Sequence, residues 1–520
     1  MRTNKIVIVG GGSAGWMTAA TLVNQFPNKE IVLIESPDVP TVGVGESTIQ
    51  GINVWLNMLG IKDTDFMAAC DATYKLSIRF EDFYQVGDTG FHYPFGFPVL
   101  EESVTGINDW HIKKALYPET PNSSYADSYF STMALVNANK FDKNLNGVLP
   151  GYQYLRTTAF QFDATKFGIW LRDVYCKGRL THIQAEVQDV QTGETGVEHL
   201  ILADGTKVTA DLFIDCTGFK SLLLDKALNV PFESYADMLP NNKAWATKIE
   251  YTDKEKQLVV YTNCTALSNG WMWEIPLWSR MGSGYVYSDK YISDEAAKTE
   301  FIEKLKSKGY ETEGLEFKNI TMRTGIHERV WEKNVCAIGL SAGFIEPLES
   351  NGLYTVHKFL MHLVRALSRG QSSRFERDGF NLACKAEFRQ FAEFVAMHYA
   401  LSVRDDTDYW RDNLERVYDP TLSEPKAVAI PGVKTYSMER YQRFQFNPEG
   451  GFHCIAAGMN YNPCDMSTLS AYNFLYDLID AKQYFSKQVE AVGKHTATWN
   501  EAVKDYPSII EYLKENIYKN

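Results

Sequence analysis

One hexapeptide near the start of the chain limits its folds more than any other feature. Gly10-Gly11-Gly12-Ser13-Ala14-Gly15 fits G-x-G-x-x-G, and lies between an apolar run, Ile6–Val9, and a helix-forming stretch, Ala14–Phe26. A second apolar run, Glu30–Ile34, ends at Glu35, twenty residues beyond Gly15. The order strand, glycine turn, helix, strand, carboxylate is what a dinucleotide requires. Gly10 allows the tight turn, Gly12 lets the backbone approach a pyrophosphate, and Gly15 permits close helix packing. The helix N-terminus at Ser13 and Ala14 adds partial positive charge. Glu35 can accept hydrogen bonds from a ribose. A bare glycine turn is the plainer alternative, and this context argues against it.

Two later segments repeat the strand-to-turn form. Ile201–Leu202 and Lys207–Val208 flank Asp204-Gly205 as a hairpin, which leads into the strand Asp211–Asp215 and the turn Cys216-Thr217-Gly218. Asn334–Gly343 again reads as a buried strand feeding a glycine turn. Three such units far apart predict one discontinuous nucleotide-binding domain. Its parts are roughly 1–85, 155–225 and 320–355, with insertions at roughly 85–155 and 225–320 forming a second, substrate-side layer. From about 356 to 520 the spacing of apolar residues predicts a mainly helical region, with helices over Tyr354–Ser368 and Ser373–Arg404 and more after 465. The fold class is therefore α/β, an FAD-binding Rossmann-like (GR2-type monooxygenase) fold with a helical C-terminal region. FAD is favoured over NAD because the insertions match flavin monooxygenases better than simple dehydrogenases.

Composition excludes several functions. With 52 basic and 65 acidic residues the net charge is −13, which is no basis for holding nucleic acid. The eight cysteines form no C-x-x-C pair and the ten histidines no metal-ligand spacing, so reduced buried thiols and no metal are expected. No apolar run reaches membrane-spanning length, and the short run near the N-terminus is no signal segment, so a cytoplasmic protein is expected. Rings are abundant, 29 Phe, 29 Tyr and 11 Trp, which suits a large core and equally a flat ligand.

Further motifs occur in a definite order. They are Val42-Gly43-Val44-Gly45-Glu46-Ser47-Thr48, Ala72-Thr73-Tyr74-Lys75, Phe160-Gln161-Phe162-Asp163-Ala164, and Gly270-Trp271-Met272-Trp273-Glu274-Ile275-Pro276. Gly339 to Ser350 follows, then His398-Tyr399 with Arg404-Asp405. The tryptophan segment has the form G-W-x-W-x-I-P. Together, over roughly residues 1–410, they resemble the flavin-dependent halogenases of the tryptophan halogenase family.

Taken alone, Tyr74–Phe80 alternates apolar and polar residues, so one strand would show Lys75, Ser77 and Arg79 on a single, ordinarily solvated face. Glu349 alone would be a turn cap before a helix beginning near Leu353. The resemblance implies more. Lys75 meets hypohalous acid made at the flavin, as an ammonium that polarises it or as an amine that takes the halogen. Glu349 stabilises the ring cation or takes its proton. Gly45, Glu46, Ser47, Val187, Leu340 and Leu353 surround the flavin, and Ser350 lies between it and the lysine. Asn351 and Gly352 bind halide; the Asn351 position is Thr in well-known members, which leaves chloride, bromide and iodide open. Trp271, Trp273 and Pro276 keep the flavin from direct monooxygenation, and Tyr93 and Phe95 line the substrate pocket.

The activity so implied is FADH2-dependent halogenation of an electron-rich aromatic, with O2 and halide as co-substrates. A small indole is the first expectation and tryptophan the second. A separate NAD(P)H-dependent flavin reductase is the implied partner, and a homo-oligomer is compatible. The alternatives are an FAD monooxygenase hydroxylating an aromatic, and a flavin-binding protein without turnover. Aromatic residues within 430–465, Tyr436, Tyr441, Phe444, Phe446, Phe452, His453 and Tyr461, are expected to line or cover the pocket.

Overall fold

In the computed structural model, which describes residues 3–37, 45–99, 110, 113–114, 117–370, 373–416, 451–461 and 481–519, the first apolar run becomes the strand Lys5–Val9. It lies at the centre of a six-stranded sheet. The order is Trp331–Glu332, Val335–Ala337, Leu212–Asp215, Lys5–Val9, Glu30–Glu35, Thr181–Gln184. All pairings are parallel except that of the first edge strand. Parallel strands covered on both faces must be apolar throughout, and Ile6, Val7, Ile8, Leu33 and Phe213 are buried. Segments more than three hundred residues apart thus join one sheet. The expected hairpin also forms, Ile201 pairing with Lys207, but in a separate three-stranded sheet with Val187–Gly193.

A second, seven-stranded sheet runs Lys318–Thr321, Lys243–Ile249, Met281–Tyr287, Gly270–Pro276, Tyr261–Leu267, Ser77–Glu81, Phe91–Pro94. Between the two lies a small sheet of Gly45–Ser47, Ala159–Asp163 and Thr73–Lys75. This corrects the single strand expected over Tyr74–Phe80. The chain changes sheets at Leu76, whose N–H donates to Val260 O, so Thr73–Lys75 and Ser77–Glu81 pair with different partners. Lys75 and Ser77 are buried, not solvated, and share no site with Arg79, which pairs with Glu81.

The helices Gly352–Leu367 and Arg374–Ala400 pack together, the second opened by a capping box between Ser373 and Glu376. Further helices span Gly451–Gly458, Ala481–Ala502 and Ile509–Asn516. Tyr436, Tyr441, Phe444 and Phe446 lie outside the described residues, as do Val42, Gly43 and Val44. The seven described cysteines are buried and unpaired. No described helix is long and apolar enough to cross a membrane.

Candidate active site

The glycine turn is built for close approach. Gly10 has φ +114°, and a Cβ there would lie 2.2 Å from Cys216 O. A Cβ on Gly15 would lie 1.9 Å from Gly10 O, which is how the helix Ser13–Gln25 comes so near the strand. Gly12 differs: nothing lies within 4 Å of its Cβ position, so this backbone faces open space. It is the N-cap of that helix, with no side-chain cap and no acidic residue in the first turn, leaving its N–H groups available to a phosphate. Glu35 stands beside Gly11, accepting from Trp16 Nε1 at 3.3 Å and meeting His182 Nε2 at 2.8 Å. Ala14 adjoins Gly339, beside the exposed Leu340, so the first and third glycine segments form one rim. Val187 opens its strand two residues after Ala185, whose N–H donates to Glu35 O. These residues fit a dinucleotide, and Gly12, Ser13 and Glu35 would hold the phosphates and ribose of FAD.

Lys75 ends its strand with no exposed surface. Its Nζ donates to Thr48 O at 3.0 Å and to Ser350 Oγ at 2.8 Å, and lies 5.1 Å from the centroid of the Phe95 ring. Ser350, in the left-handed region at φ +57°, donates in turn to Ser47 Oγ at 3.1 Å. Ser47 is 2.6 Å from Thr262, which donates to Gln161 Oε1. This buried chain of hydroxyls fixes Ser350 so that a lone pair, not a proton, faces the lysine. Burial pushes the Lys75 ammonium down to about 7, with Cys264, Glu349 and Glu46 pulling the other way.

Glu349 is buried, and its Oε1 lies 2.9 Å from Nε2 of His398, which has no exposed surface. The other ring nitrogen, Nδ1, lies 3.2 Å from Val395 O and 3.3 Å from Phe394 O. Carbonyls only accept, so Nδ1 carries a proton and a neutral ring would turn a lone pair towards Glu349. The contact is favourable with one proton on the pair, as imidazolium–carboxylate or as imidazole–carboxylic acid, although the two atoms are not aligned for a full hydrogen bond. Burial raises the Glu349 carboxyl, while His398 and then Lys75 draw it back. A buried acid–base pair facing a buried amine, with aromatic walls, is equipped to move protons on a ring held between them.

Comparison with known proteins decides the assignment. The profile of the tryptophan halogenase family matches residues 5–472. The chain belongs to this family. It is a flavin-dependent halogenase. The 7-chloro-L-tryptophan 6-halogenase KtzR of Kutzneria sp. (strain 744) is 35% identical over 484 residues, 87% of this chain and 90% of that one. Among solved structures, that titled "VirX1 apo structure" superposes with a TM-score of 0.90 at 36% identity, covering 100% of this chain and 99% of its own. The tryptophan 6-halogenase SttH of Streptomyces toxytricini gives 0.82 at 32% identity, covering 98% and 99%.

Within the halogenase, Tyr93 and Phe95 stand edge to face, 5.8 Å between ring centroids, both buried. Phe394 reaches Tyr93 from the C-terminal helices and stacks near Phe452. Trp271 and Trp273 lie on one face of their strand. Trp271 Nε1 donates to Glu346 Oε2 at 3.2 Å, and Asn241 Nδ2 to the same oxygen at 2.6 Å, so Trp271 is tied to Glu346, not Glu349. Trp273 packs so tightly on Gly284 that a Cβ there would lie 2.1 Å from its ring. Pro276 O accepts from Thr73 Oγ1, joining that strand to the lysine strand. The sequence reading gave His398 no role, because the contact crosses from a turn to a helix almost fifty residues later. Gln161 and Thr262 were missed for the same reason. Gln161 stands as a polar residue between Phe160 and Phe162, and Thr262 has no distinguishing local signal.

Proposed function

We propose that this halogenase delivers hypohalous acid to Lys75 and installs the halogen on an electron-rich aromatic, an indole first, with Glu349 taking the ring proton. Reduced FAD, when bound, supplies with O2 the oxidising equivalents that turn halide into hypohalous acid. Residues of the chain do the rest. The ammonium of Lys75 has an oxygen acceptor or ring face for each proton: Thr48 O, Ser350 Oγ and the Phe95 ring. With two protons held by Thr48 O and Ser350 Oγ, the third, on the weaker contact to the Phe95 ring, is the one that can turn to HO–X and polarise it, whereas a lone pair directed at the negative face of that ring would be repelled. Tyr93, Phe95, Phe394 and Phe452 give an aromatic wall suited to a flat ring. The ring cation formed on halogen addition loses its proton to the carboxylate form of the Glu349–His398 pair. Several relatives are named for halogenating tryptophan, which supports an indole.

The observation that carries the reading is the buried lysine, held by Thr48 and Ser350 and electrostatically coupled to Glu349, which pairs with His398. The test supplies FAD, an NADH-dependent flavin reductase, O2, bromide and indole, and seeks the bromine isotope pair by mass spectrometry. Brominated indole from the wild type and none from Lys75→Met is expected. Oxygenated product without brominated product would favour direct monooxygenation and overturn the proposal.

A further inference from the structure

The helix Gly352–Leu367 has sixteen residues, and its N-terminus is where the halide is read to sit. Asn351 occupies the N-cap position but makes no capping bond. Its Nδ2 reaches Ile345 O at 3.4 Å, and its Oδ1 has no partner although the residue is 2% exposed. Glu46 comes in from the strand Gly45–Ser47 instead: its Oε1 lies 2.6 Å from where a Cβ on Gly352 would stand. A side chain at 352 would have to displace that carboxyl group, so Gly352 leaves it room to rest there. The first turn offers N–H groups and partial positive charge, and one negative group can occupy it at a time.

We propose that Glu46 is the resident occupant of the halide seat and yields it when protonated, so that each halide enters with one proton. The inference rests on reading Asn351 and Gly352 as that seat. Loading is Glu46-COO⁻ + H⁺ + X⁻ giving Glu46-COOH beside X⁻, with no net charge added to a buried site. The chemistry gives this a use. Oxidation of halide by a hydroperoxide, ROOH + X⁻ + H⁺ → ROH + HOX, consumes one proton per turnover, and a seat that loads both brings in the proton the next step needs. Burial pushes the Glu46 carboxyl up to about 7, against the pull of Lys75 and the Leu353 N–H, so the exchange falls within the working range of pH. The other charged groups facing this corner are Lys75 itself and, beyond it, Glu349 with His398.

The test titrates sodium bromide into the full-length, FAD-loaded protein by calorimetry at about pH 8, in two buffers of different ionisation heat, to count protons taken up per bromide. Wild type is expected to take up about one proton more than Glu46→Gln, and Glu46→Gln to bind bromide about tenfold more tightly. Because Lys75 is common to both proteins, its titration cancels from the difference. Glu46→Ala should behave as Glu46→Gln. Equal proton counts in wild type and both variants would overturn the role of Glu46. Anomalous diffraction from bromide-soaked crystals separates the two readings. Bromide at Gly352 with equal counts refutes Glu46 alone, whereas bromide elsewhere, or none, refutes the seat and the inference with it.

Discussion

Replacing His398 by Phe tests the acid–base pair while keeping the ring. His398 lies among Phe80, Phe83 and Phe394, with centroids at 4.7, 6.0 and 5.9 Å, so a phenyl ring fits the same box. What is lost is the 2.9 Å contact to Glu349. At an effective dielectric constant of about 20 the gross attraction at that distance is about 6 kcal/mol, most of it offset by the cost of burying both charges. The net loss is nearer that of a single charge-assisted contact, about 1.5–3 kcal/mol. The sign follows from burial, which already raises the Glu349 carboxyl and is opposed chiefly by His398. Without His398 the carboxyl keeps its proton to higher pH, so the acid limb of kcat should move upward. The rate should fall below wild type on the acid side of the profile and converge with it at higher pH, with FAD binding retained. The assay is brominated indole formed per minute across pH at saturating bromide, alongside a flavin-binding titration. An acid limb that stays in place would refute the pairing, and loss of FAD binding would show that His398 shapes the fold instead.

The remaining expectations concern the lysine, the glycine turn and one ion pair. If the ammonium of Lys75 is the working form, kcat at saturating halide should decline as pH rises through about 7, where that proton is lost; a rate climbing through this range would point to the neutral amine. Lys75→Met should bind FAD and consume reduced flavin yet give no halogenated product by mass spectrometry. Gly10→Ala places a methyl group 2.2 Å from Cys216 O at φ +114° and should abolish FAD binding in a fluorescence titration, with a stability loss of at least about 1–3 kcal/mol in a denaturant melt. Arg280→Met leaves Asp163, its partner at 2.8 Å and the cap of Ala164–Trp170, buried without a counter-ion; a stability loss of about 3–5 kcal/mol is expected, and an unchanged melting curve would contradict it.

The glycine turn and its flanking strand and helix were legible in the sequence, because their constraints are local. Gly10, Gly12, Gly15 and Glu35 act through their own backbone or an adjacent strand, so spacing alone identifies them. The same holds for the strand Leu212–Asp215 and the helix opened by Ser373. The proton-handling end was legible only in part. Lys75 and Glu349 received roles through resemblance to a family; Gln161 and His398 stood in its motifs without one, and Thr262 in none, since their contacts depend on which strands lie side by side. The alternation over Tyr74–Phe80 even misled, for period two describes one strand as well as two short strands in line.

That misreading bears on the chemistry. A lysine in the middle of a continuous strand would show its side chain to one face of one sheet, where water could reach it. Lys75 is instead the last residue before the chain crosses from the small sheet to the large one, and Leu76 and Phe95 close the crossing by bonding to Val260 O and Leu76 O. The seam gives the ammonium partners from three separate places: Thr48 after the strand Gly45–Ser47, Ser350 before the helix Gly352–Leu367, and Phe95 at the end of the large sheet. No single sheet face presents a carbonyl, a hydroxyl and a ring to one nitrogen with water excluded. The change of sheets at Leu76 is therefore what turns an ordinary surface lysine pattern into a buried one.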